Sequence, residues 1–155
     1  MGVTIRYQGR LSPKAKAKEL YILAKIHCEK LKWGMTPFET QGDAIFFALH
    51  PHDHCELVSF KVGTDGRFRD SCKTQFAPVE VHMGVVGLFD ALRSRLAELV
   101  IEDEGDYWET RDRARLQGRI DDCYQAIGKT MQEDPAYYGP VRGEDGRITD
   151  LLRRT

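Results

Sequence analysis

The densest run of chemistry-bearing residues is His50-Pro51-His52-Asp53-His54-Cys55, which holds three of the chain's five histidines. Imidazole with carboxylate or thiolate is a ligand set for zinc, nickel or copper. Read as a hairpin tip with Phe46 opposite Val58, this run pairs His50 with His54 across Pro51-His52-Asp53. Directly opposed residues place their Cβ atoms about 4.5–5.5 Å apart. Two imidazoles then close on one transition-metal ion, and a neighbour adds a ligand. The expected metal residues are His50, His52, His54 and Asp53, with Cys55 beside them. The plain alternative is a polar tip whose charge changes near about pH 6–7.

The next pattern is cationic. Val58, Phe60 and Val62 alternate, and Phe68, Cys72 and Phe76 follow a turn at Gly63-Thr64-Asp65-Gly66. A three-residue loop with Gly66 left-handed pairs Val62 with Phe68 and Val58 with Cys72, so the apolar side chains share one face. The opposite face then carries Cys55, Leu57, Ser59, Lys61, Arg69, Ser71, Lys73 and Gln75. Lys61, Arg69, Lys73 and Gln75 are the expected binding residues for an anion or an acidic partner. The plain alternative is a solvated sheet face that needs such residues for solubility.

A third pattern is acidic. Glu98, Glu102, Asp103, Glu104, Asp106 and Glu109 fall in a segment with no Lys or Arg, and Tyr107-Trp108 adds aromatic surface. The spacing is not that of an EF-hand loop. An acidic, aromatic loop suits a basic partner protein better than a catalytic carboxylate pair. Residues 1–34 are the basic counterpart, with eight Lys or Arg against two Glu. His82 falls in the first turn of a helix, where the dipole favours neutral imidazole. No serine or cysteine nucleophile can be placed beside it from spacing. No P-loop, dinucleotide fingerprint or GxSxG elbow occurs.

Elements must position these residues. The pattern predicts strands at Val3–Leu11, 37–41, Ala44–Leu49, Cys55–Val62, Phe68–Ala77 and Leu99–Glu102. It predicts a first helix capped at Ser12-Pro13 and stopping at Gly34, with the stripe Ala17, Leu20, Tyr21, Ala24, Cys28 and Leu31. A second helix from Val79 carries Val81, Val85, Leu88, Phe89, Leu92 and Leu96. A third, capped by Thr110, carries Leu116, Ile120, Cys123, Ile127 and Met131. A last helical turn is expected near Asp150–Arg154. The order is β-α-β-β-β-β-α-β-α. This is an α+β architecture: a mainly antiparallel sheet, two helices on one face and an additional C-terminal helix. Residues 1–134 form a single domain, and 135–155 a turn-rich extension of it. The strand Ala44–Leu49 is apolar on both faces, so a pocket or homodimer seam is expected near Phe47 and Leu57.

The chain has 155 residues, 41% of them hydrophobic, and a net charge of −1 with histidines neutral. The apolar content excludes a disordered chain, and no apolar run is long enough to span a bilayer. The near-neutral balance gives no field for steering onto nucleic acid. Four dispersed cysteines without a CxxC pair suit reduced thiols in the cytoplasm, and the N-terminus lacks the apolar core of a secretory signal. These readings converge on a non-enzymatic binding or interaction module for a protein or small-molecule partner, with no cofactor. It uses the outer sheet face and the acidic-aromatic loop. The alternative is a metal-dependent enzyme or metal-stabilised protein with a transition metal at the His50–His54 hairpin.

Overall fold

The structure, a computed structural model, describes residues 2–155. The chain runs β1 (Thr4–Leu11), α1 (Ala17–Leu31), β2 (Gly34–Met35), β3 (Glu39–Gln41), β4 (Ala44–His50), β5 (Val58–Val62) and β6 (Arg67–Lys73). Next come α2 (Val79–Leu92), a 3-10 turn (Arg93–Arg95), β7 (Leu96–Asp103), α3 (Tyr107–Thr110) and α4 (Arg113–Glu133). Four two-residue strands close the chain: β8 (Tyr137–Tyr138), β9 (Val141–Arg142), β10 (Ile148–Thr149) and β11 (Leu152–Arg153). The fold is mixed α+β, and the strand pairing is antiparallel. No helix among the described residues is long and apolar enough to cross a membrane.

The helices begin and end where side chains satisfy their free backbone groups. The expected cap at Ser12-Pro13 forms a separate turn instead, in which the Ser12 carbonyl accepts the Ala15 N–H. Helix α1 starts at Ala17, where the Glu19 carboxylate accepts the Lys16 N–H at 2.5 Å. It stops at Lys32, which takes the left-handed conformation (φ 59°) expected of Gly34. Helix α4 is capped by Asp112, not Thr110: the Asp112 carboxylate accepts the Arg115 N–H at 3.1 Å. The expected last helical turn is absent, because Leu152 and Arg153 pair with Tyr138 and Tyr137 as strands.

Leu20, Ala24 and Cys28 of α1 share one core with Val85, Leu88 and Phe89 of α2. The inner sheet face supplies Ile5, Tyr7, Phe47, Phe60 and Phe68 to the same core. Helix α2 is buried nearly all round, because Leu116 and Ile120 of α4 pack with Val3 against Val79 on its other side. Of the stripe expected on α4, only Leu116 and Ile120 are buried, and Met131 is exposed.

Register corrects one expectation. Strand β4 pairs Leu49 with Val58 and Phe47 with Phe60, so Phe46 lies opposite Lys61 and not Val58. An odd shift exchanges the faces of a strand. Phe47 is therefore fully buried, stacked on Phe60 at 5.0 Å, and is not part of an outer seam. The turn after β5 follows expectation: Gly66 is left-handed (φ 77°), and the Gly63 N–H donates to the Arg67 carbonyl.

Strands β5 and β6 are joined at both ends but parted in the middle. Backbone bonds run from Gly63 to Arg67 and from Glu56 to Lys73. Between them, where a ladder would pair Ser59 with Ser71, neither residue bonds the other. The Tyr7 hydroxyl donates to the Ser59 carbonyl (2.8 Å) and accepts the Ser59 N–H (3.0 Å). The Ser71 N–H is taken by the Asp70 carboxylate (2.7 Å), and its carbonyl by Arg147 (2.7 Å). All four backbone groups are satisfied, as buried groups must be. Burial, with the negative charge of Asp70 nearby, pushes the Tyr7 phenol well above its ordinary pKa, so it stays protonated and able to donate. Tyr7→Phe leaves the two part-buried backbone groups of Ser59 without this partner. It should destabilise the fold by about 1–3 kcal/mol in urea unfolding; an unchanged midpoint would refute this role.

Candidate functional site

Strands β6, β1 and β7 form a continuous ladder, with Arg6 opposite both Ser71 and Glu102, and Gln8 opposite both Arg69 and Val100. Side chains alternate across a strand, so Arg6, Gln8, Arg69, Val100 and Glu102 share the face away from the helices. They line an open groove of about 400 Å³ that reaches Tyr7 and Ser71 at the parted seam. A second groove of about 300 Å³ adjoins it, lined by Gln8, Lys61, Arg67, Arg69, Glu98 and Val100.

Most charges on this face are matched locally. Arg6 lies 3.5 Å from Glu104, Arg10 lies 3.0 Å from Glu98, and Arg67 lies 3.7 Å from both Glu98 and Asp65. Lys61 and Arg69 are exposed, and neither has a carboxylate within ion-pair distance among the described residues.

The other two expected binding residues lie elsewhere. Lys73 is paired with Asp150 at 2.8 Å. Gln75 is fully buried, and its carbonyl oxygen accepts the Val3 N–H at 2.8 Å. The reason is that β6 ends at Lys73. A turn closed by the Ala77 N–H and the Thr74 carbonyl then swings Gln75 inward. Cys55 is likewise buried, not outward-facing.

The histidine run does not form the hairpin expected to pair His50 with His54 across Pro51-His52-Asp53. His50 lies opposite Gly34 of β2 rather than His54. His50 Nε2 sits 3.7 Å from Asp53, and His52 Nδ1 accepts the His54 N–H at 3.1 Å. The His52 and His54 rings are 5.5 Å apart. Among the described residues, no three His, Cys, Asp or Glu side chains are gathered as a metal-holding group. The register assumed for the tip fails because the core selects Phe47 and Leu49 for the inner face, which lengthens the connection to β5.

The acidic loop is occupied from within. Glu104 accepts the Thr4 N–H at 2.9 Å, and Asp106 binds Arg115 and Arg119. Trp108 lies between the guanidinium groups of Arg93 and Arg111, at 5.0 and 4.9 Å from its ring. Asp103 turns inward to His82. His82 Nε2 donates to the carboxylate at 3.0 Å, and His82 Nδ1 lies 2.5 Å from the Thr74 hydroxyl. The N–H groups of Gly105 (2.7 Å) and Trp108 (2.8 Å) complete the carboxylate's shell.

Hydroxyl, imidazole and carboxylate in this order are the parts of an acyl-transfer triad. Here Thr74 and His82 are wholly buried, and so is the Asp103 side chain. Gly105 seals the network by close approach: a Cβ there would stand 2.6 Å from Leu116 and 3.1 Å from the His82 ring. The arrangement anchors loop 103–108 onto α2. Sequence reading placed His82 and Asp103 separately and left Thr74 unmarked, because nothing in their spacing says that they meet.

Comparison with protein-family models, with the curated proteins and with the solved structures finds no match.

Burial works against the Asp103 charge, but the hydrogen bonds from His82, Trp108 and Gly105 outweigh it and hold the carboxyl below its ordinary pKa. A lowered folded pKa gives stability that is present above the unfolded value, about 3.9, and lost as pH falls through the folded one. Wild type should therefore lose stability below about pH 4. Asp103→Asn should lose about 1–3 kcal/mol at pH 7 and show a flatter acid limb. Chemical unfolding from pH 2 to 7 checks both; matching curves for the two proteins would refute them.

Proposed function

We propose that the protein is a non-enzymatic binding module whose outer sheet face receives an acidic segment of a partner polypeptide. The observation that carries this reading is the pairing of Lys61 and Arg69 in one open groove, each without an internal counter-charge. Locally matched arginines keep their neighbours' charges neutral, so an incoming carboxylate gains most at these two cations. Arg69 offers a planar donor fork and Lys61 a mobile point charge. Exposed Val100 adds apolar contact beside them. The sealed state of Thr74, His82 and Asp103 supports a non-enzymatic reading of the one triad-like cluster. In the acidic-aromatic loop Asp103, Glu104 and Asp106 already have internal partners, which favours the sheet face as the main contact.

A fluorescein-labelled oligoglutamate peptide is a direct probe. Fluorescence anisotropy should show binding that weakens with added salt. Lys61→Glu with Arg69→Glu should weaken it by about tenfold or more, while a Lys14→Glu control should not. Absence of binding to wild type, or equal binding by the double variant, would overturn the reading.

The alternative reading is a transition-metal site at the histidine tip, supported by the closeness of the His52 and His54 rings, 5.5 Å apart. Elemental mass spectrometry of untagged protein tests it. Zinc or nickel at about one ion per chain, lost in His52→Ala/His54→Ala, would carry it. Metal-free protein and an unchanged melt in the variant would remove it.

A further inference from the structure

Cys55 and Cys72 lie side by side in the core, with their sulfurs 3.6 Å apart and both residues fully buried. Cys55 belongs to the segment between β4 and β5, and Cys72 to β6. The Cys72 thiol also donates to the Glu56 carbonyl at 3.3 Å. Disulfide sulfurs stand about 2.05 Å apart, so the pair is about 1.5 Å short of a bond.

The two segments that carry these sulfurs are clamped a second time, from outside, by the hairpin β9–β10. Arg142 donates to the carbonyls of Asp53 (2.6 Å) and Cys55 (3.1 Å). Arg147 donates to the Ser71 carbonyl (2.7 Å) and pairs with Glu56 (3.2 Å) and Asp70. Glu56 is itself buried. One oxygen accepts the Lys73 N–H (2.8 Å) and the other the Ile148 N–H (2.7 Å). The hairpin thus ties segment 53–56 to β6, the two pieces of chain that a Cys55–Cys72 bond would tie.

We propose that Cys55 and Cys72 are a peroxide-oxidisable dithiol gated by this hairpin, forming a disulfide that replaces the clamp when the hairpin lifts. In the first step one thiolate attacks a peroxide oxygen and breaks the O–O bond, giving a sulfenic acid and, with the thiol's proton, water. In the second, the other sulfur attacks the sulfenic sulfur; hydroxide leaves and takes the second thiol's proton as water. Two thiols and one hydrogen peroxide become one disulfide and two waters. In the closed core, contact with Cys55 and burial hold the Cys72 thiol well above its ordinary pKa, against the opposing charge of Arg147, so the hairpin protects the pair by covering it and not by its charge. A protonated, buried thiol is a poor nucleophile, so the closed state resists oxidation.

The test exposes the full chain to hydrogen peroxide and follows the Cys55–Cys72 linkage by non-reducing peptide mapping. Wild type should form it slowly. Arg142→Ala/Arg147→Ala should form it at least about tenfold faster, since local opening then takes less free energy. Cys72→Ser should not form it. Circular dichroism melts establish that the variants fold. If the double variant does not, Arg142→Ala alone decides, because it leaves Glu56, Asp70 and Arg147 in place. A folded clamp variant that oxidises no faster than wild type overturns the proposal. So does oxidation that joins Cys28 or Cys123 instead.

Discussion

Ser59 and Ser71 stand where a ladder pair belongs, and the hydroxyl of Tyr7 is what allows them to stay apart. It satisfies both backbone groups of Ser59 from the core side, while Asp70 and Arg147 satisfy those of Ser71. Without these contacts the parted strands would leave four backbone groups without protein partners, three of them in part-buried contacts where an unpaired group costs up to about 1–3 kcal/mol. Tyr7 can do this because β1 lies between β6 and β7, which fixes its side chain toward Phe60 and Phe89. The outer groove reaches the core at this parting, and Arg147 takes its seat on the freed Ser71 carbonyl.

The C-terminal segment, read in sequence as a turn-rich extension, has a defined task in this arrangement. Its hairpin closes the outside of the seam through Arg142 and Arg147, as Tyr7 closes the inside. Lys73, which the strand pattern offered as a binding cation, belongs to the same closure through Asp150. Without Lys73, the outer face keeps Lys61 and Arg69 as its unpaired cations among the described residues. The outer face is therefore less basic than its residue list suggests.

Buried polar groups are used twice for anchoring. The Thr74–His82–Asp103 network fixes the loop after β7, and the Glu56–Arg147 network fixes the C-terminal hairpin. In both, a carboxylate collects backbone N–H groups and one cationic or imidazole partner, which is how an interior tolerates a carboxylate at all. Asp103 came from a run read as an acidic, aromatic contact loop, and Glu56 from a strand position that carried no expected role.

The sequence by itself determined the succession of the main elements from β1 to α4, the apolar stripe of α1 apart from exposed Leu31, that of α2 as far as Leu92, the left-handed Gly66 turn and the exposure of Lys61 and Arg69. These follow from local rules of period and turn chemistry that act within a few residues. Only the tertiary structure decided the face of β4, since Phe46 and Phe47 are equally apolar and a shift of register exchanges them at no cost in local pattern. It alone joined Thr74, His82 and Asp103, drew Gln75 inward beyond the end of β6, and set Cys55 against Cys72. Those contacts bridge segments far apart in the chain, and the free energy that selects them comes from burial and backbone satisfaction across the whole core.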